Sequence, residues 1–121
     1  MKKILIAEDS STMRSLLVAT IEALDGYQIV EAASGFEALR FLPRESFDLI
    51  ITDINMPDIN GLELVSFVRN SDAYRSIPLF IISTEGSERD REKGLALGAN
   101  EYLVKPFDPS RLQELIVQYT A

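Results

Sequence analysis

Short apolar runs alternate with longer segments of mixed polarity along the whole chain. The runs are rich in β-branched and aromatic residues, and they lie at residues 4–7, 27–32, 49–52, 79–83 and 102–104. Each has the length and composition of a single strand. The run that begins at Leu49 is apolar without alternation, which is typical of a strand covered on both faces. The pattern therefore predicts five strands, with the third in the middle of a sheet.

The segments between the runs carry the spacing and end signals of helices. Apolar residues recur at i, i+3 and i+4 from Met13 to Leu24 and stop before Gly26, which predicts an amphipathic first helix. The other helices are predicted from their first residues: Ser34 with Glu37 as a capping box, Gly61 at the start of a segment that runs to Asn70, Ser87 as the cap of a helix ending at Gly98, and Asp108 followed by Pro109.

Strict alternation of strands and helices indicates one fold class. Parallel strands joined by right-handed crossovers place helices on both faces of the sheet. We expect an α/β protein with a doubly wound, five-stranded parallel sheet, forming one domain over residues 1–121. No linker or low-complexity segment interrupts the pattern, so we expect a stand-alone domain.

Composition excludes several kinds of chemistry. The chain has no Cys and no His, which rules out thiol or imidazole nucleophiles and zinc sites made of these ligands. The net charge of −7 would repel a polyanion, so we expect no nucleic-acid partner. The first apolar run ends at Glu8, too early for a leader or a membrane span. We expect a cytoplasmic protein that does not contact membranes.

Acidic residues follow two of the predicted strands at the edge where the carboxyl ends of the strands meet. Glu8 and Asp9 follow the first strand, and Asp53 follows the third. In open parallel sheets, ligands bind outside this edge where the strand order reverses. If the first and third strands are neighbours, these carboxylates converge and repel one another unless a cation joins them. Hard oxygen ligands suit Mg²⁺, which also accepts a phosphate oxygen.

A lysine and hydroxyl groups lie at the ends of the last two strands, at the same edge. Ser83 and Thr84 lie at the end of the fourth strand, and Lys105 follows the fifth. The ammonium group and a hydroxyl donor suit the oxygens of a phosphoryl group. With the carboxylates, one of which is a candidate nucleophile, they indicate phosphoryl chemistry.

Four separated motifs together resemble the signature of bacterial two-component response-regulator receiver domains of the CheY-like, single-domain kind. The motifs occur in the right order and span the chain: Glu8-Asp9, Asp53-Ile54-Asn55-Met56-Pro57 followed by Gly61, Ser83, and Lys105-Pro106-Phe107. The resemblance implies strand order 2-1-3-4-5 and a cis bond between Lys105 and Pro106. One departure is Glu8, which is one methylene longer than the commoner aspartate.

The resemblance implies a role for each matching residue. Asp53 is the phosphoacceptor, and Lys105 contacts the phosphoryl group. Ser83, whose spacing fits better than that of Thr84, moves toward this group, and Tyr102 turns inward with it. The implied Mg²⁺ ligands are Asp9, Asp53, the backbone carbonyl of Asn55 and, through water, Glu8.

The resemblance also implies a function in phosphorelay signal transduction. A sensor histidine kinase is the phosphodonor, and the domain catalyses only its own phosphorylation and dephosphorylation, so it is not an enzyme in the ordinary sense. The downstream protein binds the face of the fourth helix, fifth strand and fifth helix, where a homodimer formed on phosphorylation is another outcome. On this face we expect Leu95 and Leu115 to form an exposed apolar patch. Chemotaxis or motility is one pathway, and a receiver-like interaction domain that is never phosphorylated is the alternative function.

Overall fold

Five strands and five helices alternate along the chain, and the computed structural model describes residues 1–121. The strands are β1 (Lys2–Ala7), β2 (Tyr27–Ala32), β3 (Leu49–Thr52), β4 (Leu79–Ser83) and β5 (Glu101–Val104). The helices are α1 (Ser11–Glu22), α2 (Gly35–Phe41), α3 (Gly61–Asn70), α4 (Glu88–Leu97) and α5 (Pro109–Thr120). All ten predicted elements are confirmed, with β1 and β5 beginning slightly earlier than the apolar pattern indicated.

The strands form one parallel sheet in the order β2-β1-β3-β4-β5, as the resemblance implied. From β1 the chain moves outward to β2 and then returns to the other side of β1 as β3. The order therefore reverses between β1 and β3, and the carboxyl ends of these two strands flank the point where doubly wound sheets bind ligands. All four residues of β3 are buried, as the apolar run from Leu49 to Ile51 predicted.

Side chains that alternate along the strands divide the core into one layer on each face of the sheet. Leu5 of β1 packs with residues of α2 and α3, whereas Ile4 and Ile6 pack with α1 and α5. Both layers are apolar, so the helices pack on both faces of the sheet and fix the positions of the strand ends. None of the helices is both long and apolar enough to cross a membrane.

Polar side chains begin the helices where the sequence placed them. The caps Ser34, Ser87 and Asp108 each accept a hydrogen bond from a backbone N–H group of the first helical turn. The second helix has only part of the predicted capping box, because Glu37 accepts from the backbone of Ala33 rather than from that of Ser34.

The expectation of an apolar patch made by Leu95 and Leu115 is wrong. Leu115 is only 2% exposed and packs in the layer below α1 and α5, while Leu95 is partly buried against the opposite layer. The reason is helical spacing: Leu112, Leu115 and Ile116 lie on one face of α5, and that face covers the sheet. The two leucines therefore lie on different sides of the sheet.

Asp58 ties the loop between β3 and α3 to the first residues of α2. Its carboxylate accepts hydrogen bonds from the backbone N–H groups of Gly35 (3.0 Å), Phe36 (2.8 Å) and Ile59 (2.7 Å). The contact is close, because a Cβ on Gly35 would lie 2.2 Å from Cγ1 of Ile59. Although some desolvation raises the pKa of the exposed Asp58 carboxyl, the backbone hydrogen bonds outweigh this effect and lower the pKa to about 2.

Asp58 is expected to make stability depend on pH in acid. Because the pKa is about 2 in the folded protein and close to 3.9 in an unfolded chain, the unfolded state binds more protons between these values. Stability from Asp58 is therefore complete above about pH 4 and is lost as the pH falls toward about 2. We expect the free energy of unfolding, measured with urea, to fall less between about pH 5 and about pH 2.5 in Asp58→Asn than in the parent. Asp72→Asn, at a side chain that is 93% exposed, is the control and should behave like the parent.

Candidate functional site

Three carboxylates meet at the carboxyl ends of β1 and β3. The side-chain oxygens of Glu8, Asp9 and Asp53 all lie within 4.8 Å of one another. Strand pairing causes this, since Ala7 lies opposite Thr52 and the backbone N–H of Asp53 donates to the carbonyl of Ala7 at 3.0 Å. Negative charges this close repel one another and favour a cation between them.

Lys105 supplies one positive charge to this cluster. Its Nζ lies 2.7 Å from Oε1 of Glu8 and 3.4 Å from Oδ2 of Asp53. The lysine follows β5 and precedes a cis peptide bond to Pro106, as the resemblance implied. One ammonium group does not balance three carboxylates, so the site keeps an excess of negative charge. The donor set of hard carboxylate oxygens fits a small divalent cation such as Mg²⁺.

Glu8 is the most buried member of the cluster. Its side chain is 1% exposed, with Oε1 bound to Lys105 and Oε2 accepting from the backbone N–H of Ser10 at 3.1 Å. Burial raises the pKa of Glu8, and the hydrogen bonds from Lys105 and Ser10 oppose this effect. Each carboxylate oxygen has a second lone pair, so Glu8 can also accept from a water on a metal ion.

The side chain of Asp53 is held in one orientation by the backbone of the next residue. Its Oδ1 accepts from the N–H of Ile54 at 2.8 Å, which leaves Oδ2 toward Lys105. The Gly61 of the sequence motif lies against this segment, because a Cβ there would be 1.9 Å from the carbonyl oxygen of Asp53. Only glycine fits at that position. Nearby Asn55 is exposed, and its side chain donates to Oε1 of Glu85 at 3.2 Å.

Residue 85 joins the hydroxyl at the end of β4 to the tyrosine of β5. Ser83 is fully buried, and its Oγ accepts from the N–H of Glu85 at 3.0 Å, whereas Thr84 is exposed. The carbonyl of Glu85 accepts from the hydroxyl of Tyr102 at 2.5 Å. The Tyr102 ring is buried, with 8% of the residue exposed. The side chains of Ser83 and Tyr102 are therefore both hydrogen-bonded to the backbone of Glu85.

Two residues at the site were not identified from the sequence. Arg14 of α1 donates to the carbonyl of Glu8 at 2.8 Å and forms an ion pair with Glu31 at 3.3 Å. Glu85 accepts from both Asn55 and Tyr102. The sequence signal that could have identified them is their position, because each follows, within a few residues, a strand that ends at the site.

Comparison with known proteins agrees with this geometry. The family model described as the response regulator receiver domain matches residues 4–117. The chain belongs to this family. As a receiver domain it takes part in phosphorelay signalling. The match confirms both the family and the class of function that the motifs predicted.

Similar receivers include chemotaxis proteins. The chain is 42% identical over 113 residues to the "Chemotaxis protein CheY homolog" of Campylobacter jejuni, covering 93% of this chain and 87% of that protein. It is 41% identical to "Chemotaxis protein CheY1" of Helicobacter pylori over 93% of this chain and 91% of that one. The solved structure of the chemotaxis response regulator CheY4 of Vibrio cholerae superposes with a TM-score of 0.89 at 37% identity, covering 98% of each chain.

Proposed function

We propose that residues 1–121 form a receiver that accepts a phosphoryl group on Asp53 from the phosphohistidine of a sensor kinase. The observation that carries this proposal is the position of Asp53, whose Oδ2 lies 3.4 Å from Lys105 within the carboxylate cluster. A nucleophile, a cation and a metal-ligand set thus meet at one point.

The transfer is a displacement at phosphorus. A carboxylate oxygen of Asp53 forms the new bond to phosphorus, and the bond from phosphorus to the imidazole nitrogen of the donor breaks, with its electron pair leaving on that nitrogen. The hydrogen bond from the N–H of Ile54 keeps the carboxylate from rotating. Lys105, whose Nζ lies 3.4 Å from Oδ2 of Asp53, would stabilise the charge on the phosphoryl oxygens. Hydrolysis of the acyl phosphate by water later returns Asp53 to a carboxylate.

Mg²⁺ is the proposed cofactor. Asp9, Asp53 and the backbone carbonyl of Asn55 would hold the ion, with Glu8 acting through water, and the ion would neutralise charge on the phosphoryl oxygens. The excess of carboxylates over ammonium groups in the cluster supports this assignment.

Ser83 and Tyr102 are the proposed switch residues. A phosphoryl group on Asp53 offers the Ser83 hydroxyl a new acceptor, and its movement would pull on the N–H of Glu85. The same residue accepts from Tyr102 through its carbonyl, so the change reaches the surface of α4 and β5. The downstream partner would bind the face of α4, β5 and α5, and a second copy of the receiver is another occupant of that face. The partner class and a role in chemotaxis or motility are supported by the names of the relatives.

Incorporation of a phosphoryl group from phosphoramidate tests this function. One group per chain is expected with Mg²⁺, and at least tenfold slower incorporation is expected with a chelator, because the ion removes charge repulsion in the transition state. Intact mass measured over time gives both rates. Absence of any incorporation, from phosphoramidate and from a histidine kinase alike, would favour the phosphorylation-independent interaction domain.

Asp9→Asn is expected to weaken Mg²⁺ binding about tenfold, which corresponds to roughly 1.4 kcal/mol. The variant keeps the size of the side chain and removes one anionic oxygen ligand. Calorimetric titration with Mg²⁺ measures the change, and Asp72→Asn, an exposed aspartate outside the cluster, is the control. Equal affinities of Asp9→Asn and the control would show that Asp9 is not a ligand.

A further inference from the structure

A glycine lies in the interior of the most polar helix of the receiver. In α4 the only buried residue is Gly94, and the helix is otherwise rich in charged side chains. Glycine is among the least favourable residue types inside a helix, because it loses the most backbone freedom on folding. A compensating contact is therefore expected at this position.

The compensating contact is the ring of Tyr102. A Cβ built on Gly94 would lie 3.0 Å from Cδ2 and 3.2 Å from Cε2 of this ring, and 3.0 Å from Cδ1 of Ile81. These distances are shorter than ordinary carbon contacts, so the ring lies directly against the helix backbone. At its far end the hydroxyl donates to the carbonyl of Glu85. Gly94 thus leaves the space that the buried ring fills.

We propose that Gly94 is a positioning residue that fixes Tyr102 in its buried position. The proposal rests on the proposed function in assigning the switch to Tyr102. The contacts that hold the ring come from Ile81, Glu85 and Gly94, and all of them are present without a phosphoryl group on Asp53. The buried ring is therefore the main state of this receiver already before Asp53 is phosphorylated.

The proposal changes the expected size of the phosphorylation signal. A group that acts on a state already populated shifts the equilibrium only slightly. The α4–β5 surface of this receiver would then be close to its partner-binding arrangement without phosphorylation. A side chain at position 94 would remove the space for the ring and so lower the population of the buried state before phosphorylation. Phosphorylation would then cause a larger change in the position of Tyr102.

Fluorine NMR of protein labelled with 3-fluorotyrosine tests the proposal. The chain has four tyrosines, and Tyr102→Phe identifies the signal that belongs to the ring. In the parent we expect this signal to show a small shift between H₂O and D₂O, with and without fluoroberyllate and Mg²⁺. In Gly94→Val we expect the solvent shift without fluoroberyllate to reach at least half that of the unfolded chain. Gly94→Ala should give an intermediate value, and it decides the matter if Gly94→Val does not fold.

Ala96→Val is the matched control. It places the same β-branched side chain in the same helix, at an exposed residue, and should leave the Tyr102 signal as in the parent. An exposed Tyr102 in the unmodified parent, or a buried one in both folded Gly94 variants, would overturn the proposal. Fluoroberyllate binding, read from its own fluorine signals in the same samples, tests the proposed function separately. Its failure would remove the phosphoacceptor assignment while leaving the ring measurement valid.

Discussion

Asp53→Asn will reduce phosphoryl incorporation by roughly 1000-fold or more, to the limit of detection. The amide of asparagine is a poor nucleophile and cannot form the acyl phosphate. The rest of the site should stay in place, because an asparagine Oδ1 can still accept from the N–H of Ile54. Loss of one of the mutually repelling carboxylates should not lower stability. Intact mass after incubation with phosphoramidate and Mg²⁺ measures the incorporation.

The matched control for this variant is Asp58→Asn. Asp58 belongs to the same loop after β3, but its carboxylate binds the backbone of α2 instead of the cluster. It should incorporate one phosphoryl group per chain, as the parent does. Stoichiometric incorporation by Asp53→Asn would place the acceptor on another residue, which peptide mapping would then locate.

Arg69→Met is expected to lower the free energy of unfolding by about 3 kcal/mol and the melting temperature by roughly 10 °C. The guanidinium donates to the carbonyls of Gly98 and Ile77, both at 2.8 Å, and of Arg75 at 3.1 Å. It also donates to Oδ1 of Asn100 at 2.8 Å. Methionine fills similar volume but leaves these acceptors without their donor. Urea unfolding followed by circular dichroism measures the loss.

The environment of Arg69 explains why the effect is large. No carboxylate pairs with it, and burial lowers the pKa of its guanidinium. The arginine instead joins the end of α3 to the turn after α4 and to the start of β4. Arg75→Met is the control, because that side chain is 65% exposed and pairs with Asp72, which is 93% exposed. Arg75→Met should lower the free energy of unfolding by no more than about 0.5 kcal/mol. A similar loss in both variants would show that the carbonyl contacts of Arg69 do not contribute.

The order and type of the elements could be predicted from the sequence because their signals are local. The unbroken apolar run of β3 and the caps Ser87 and Asp108 depend on residues only a few positions apart. The acidic pair after β1 and Asp53 after β3 were candidates for the same reason. Their convergence needed only the assumption that β1 and β3 are neighbours, which the sheet order bears out.

The tertiary structure decided which side chains meet and which faces are covered. Lys105 lies closer to Glu8 than to Asp53, a contact between residues 97 positions apart that depends on the sheet order and on the length of the glutamate. Leu115 is buried because it shares one face of α5 with Leu112 and Ile116, and the packing of α5 on the sheet covers that face. The buried ring of Tyr102 depends on a glycine in a different element. The sequence by itself determined the helices and strands, through short-range periodicity and capping. Packing between distant segments determined which side chains are in contact, because each such contact depends on the position of the whole sheet and its helices.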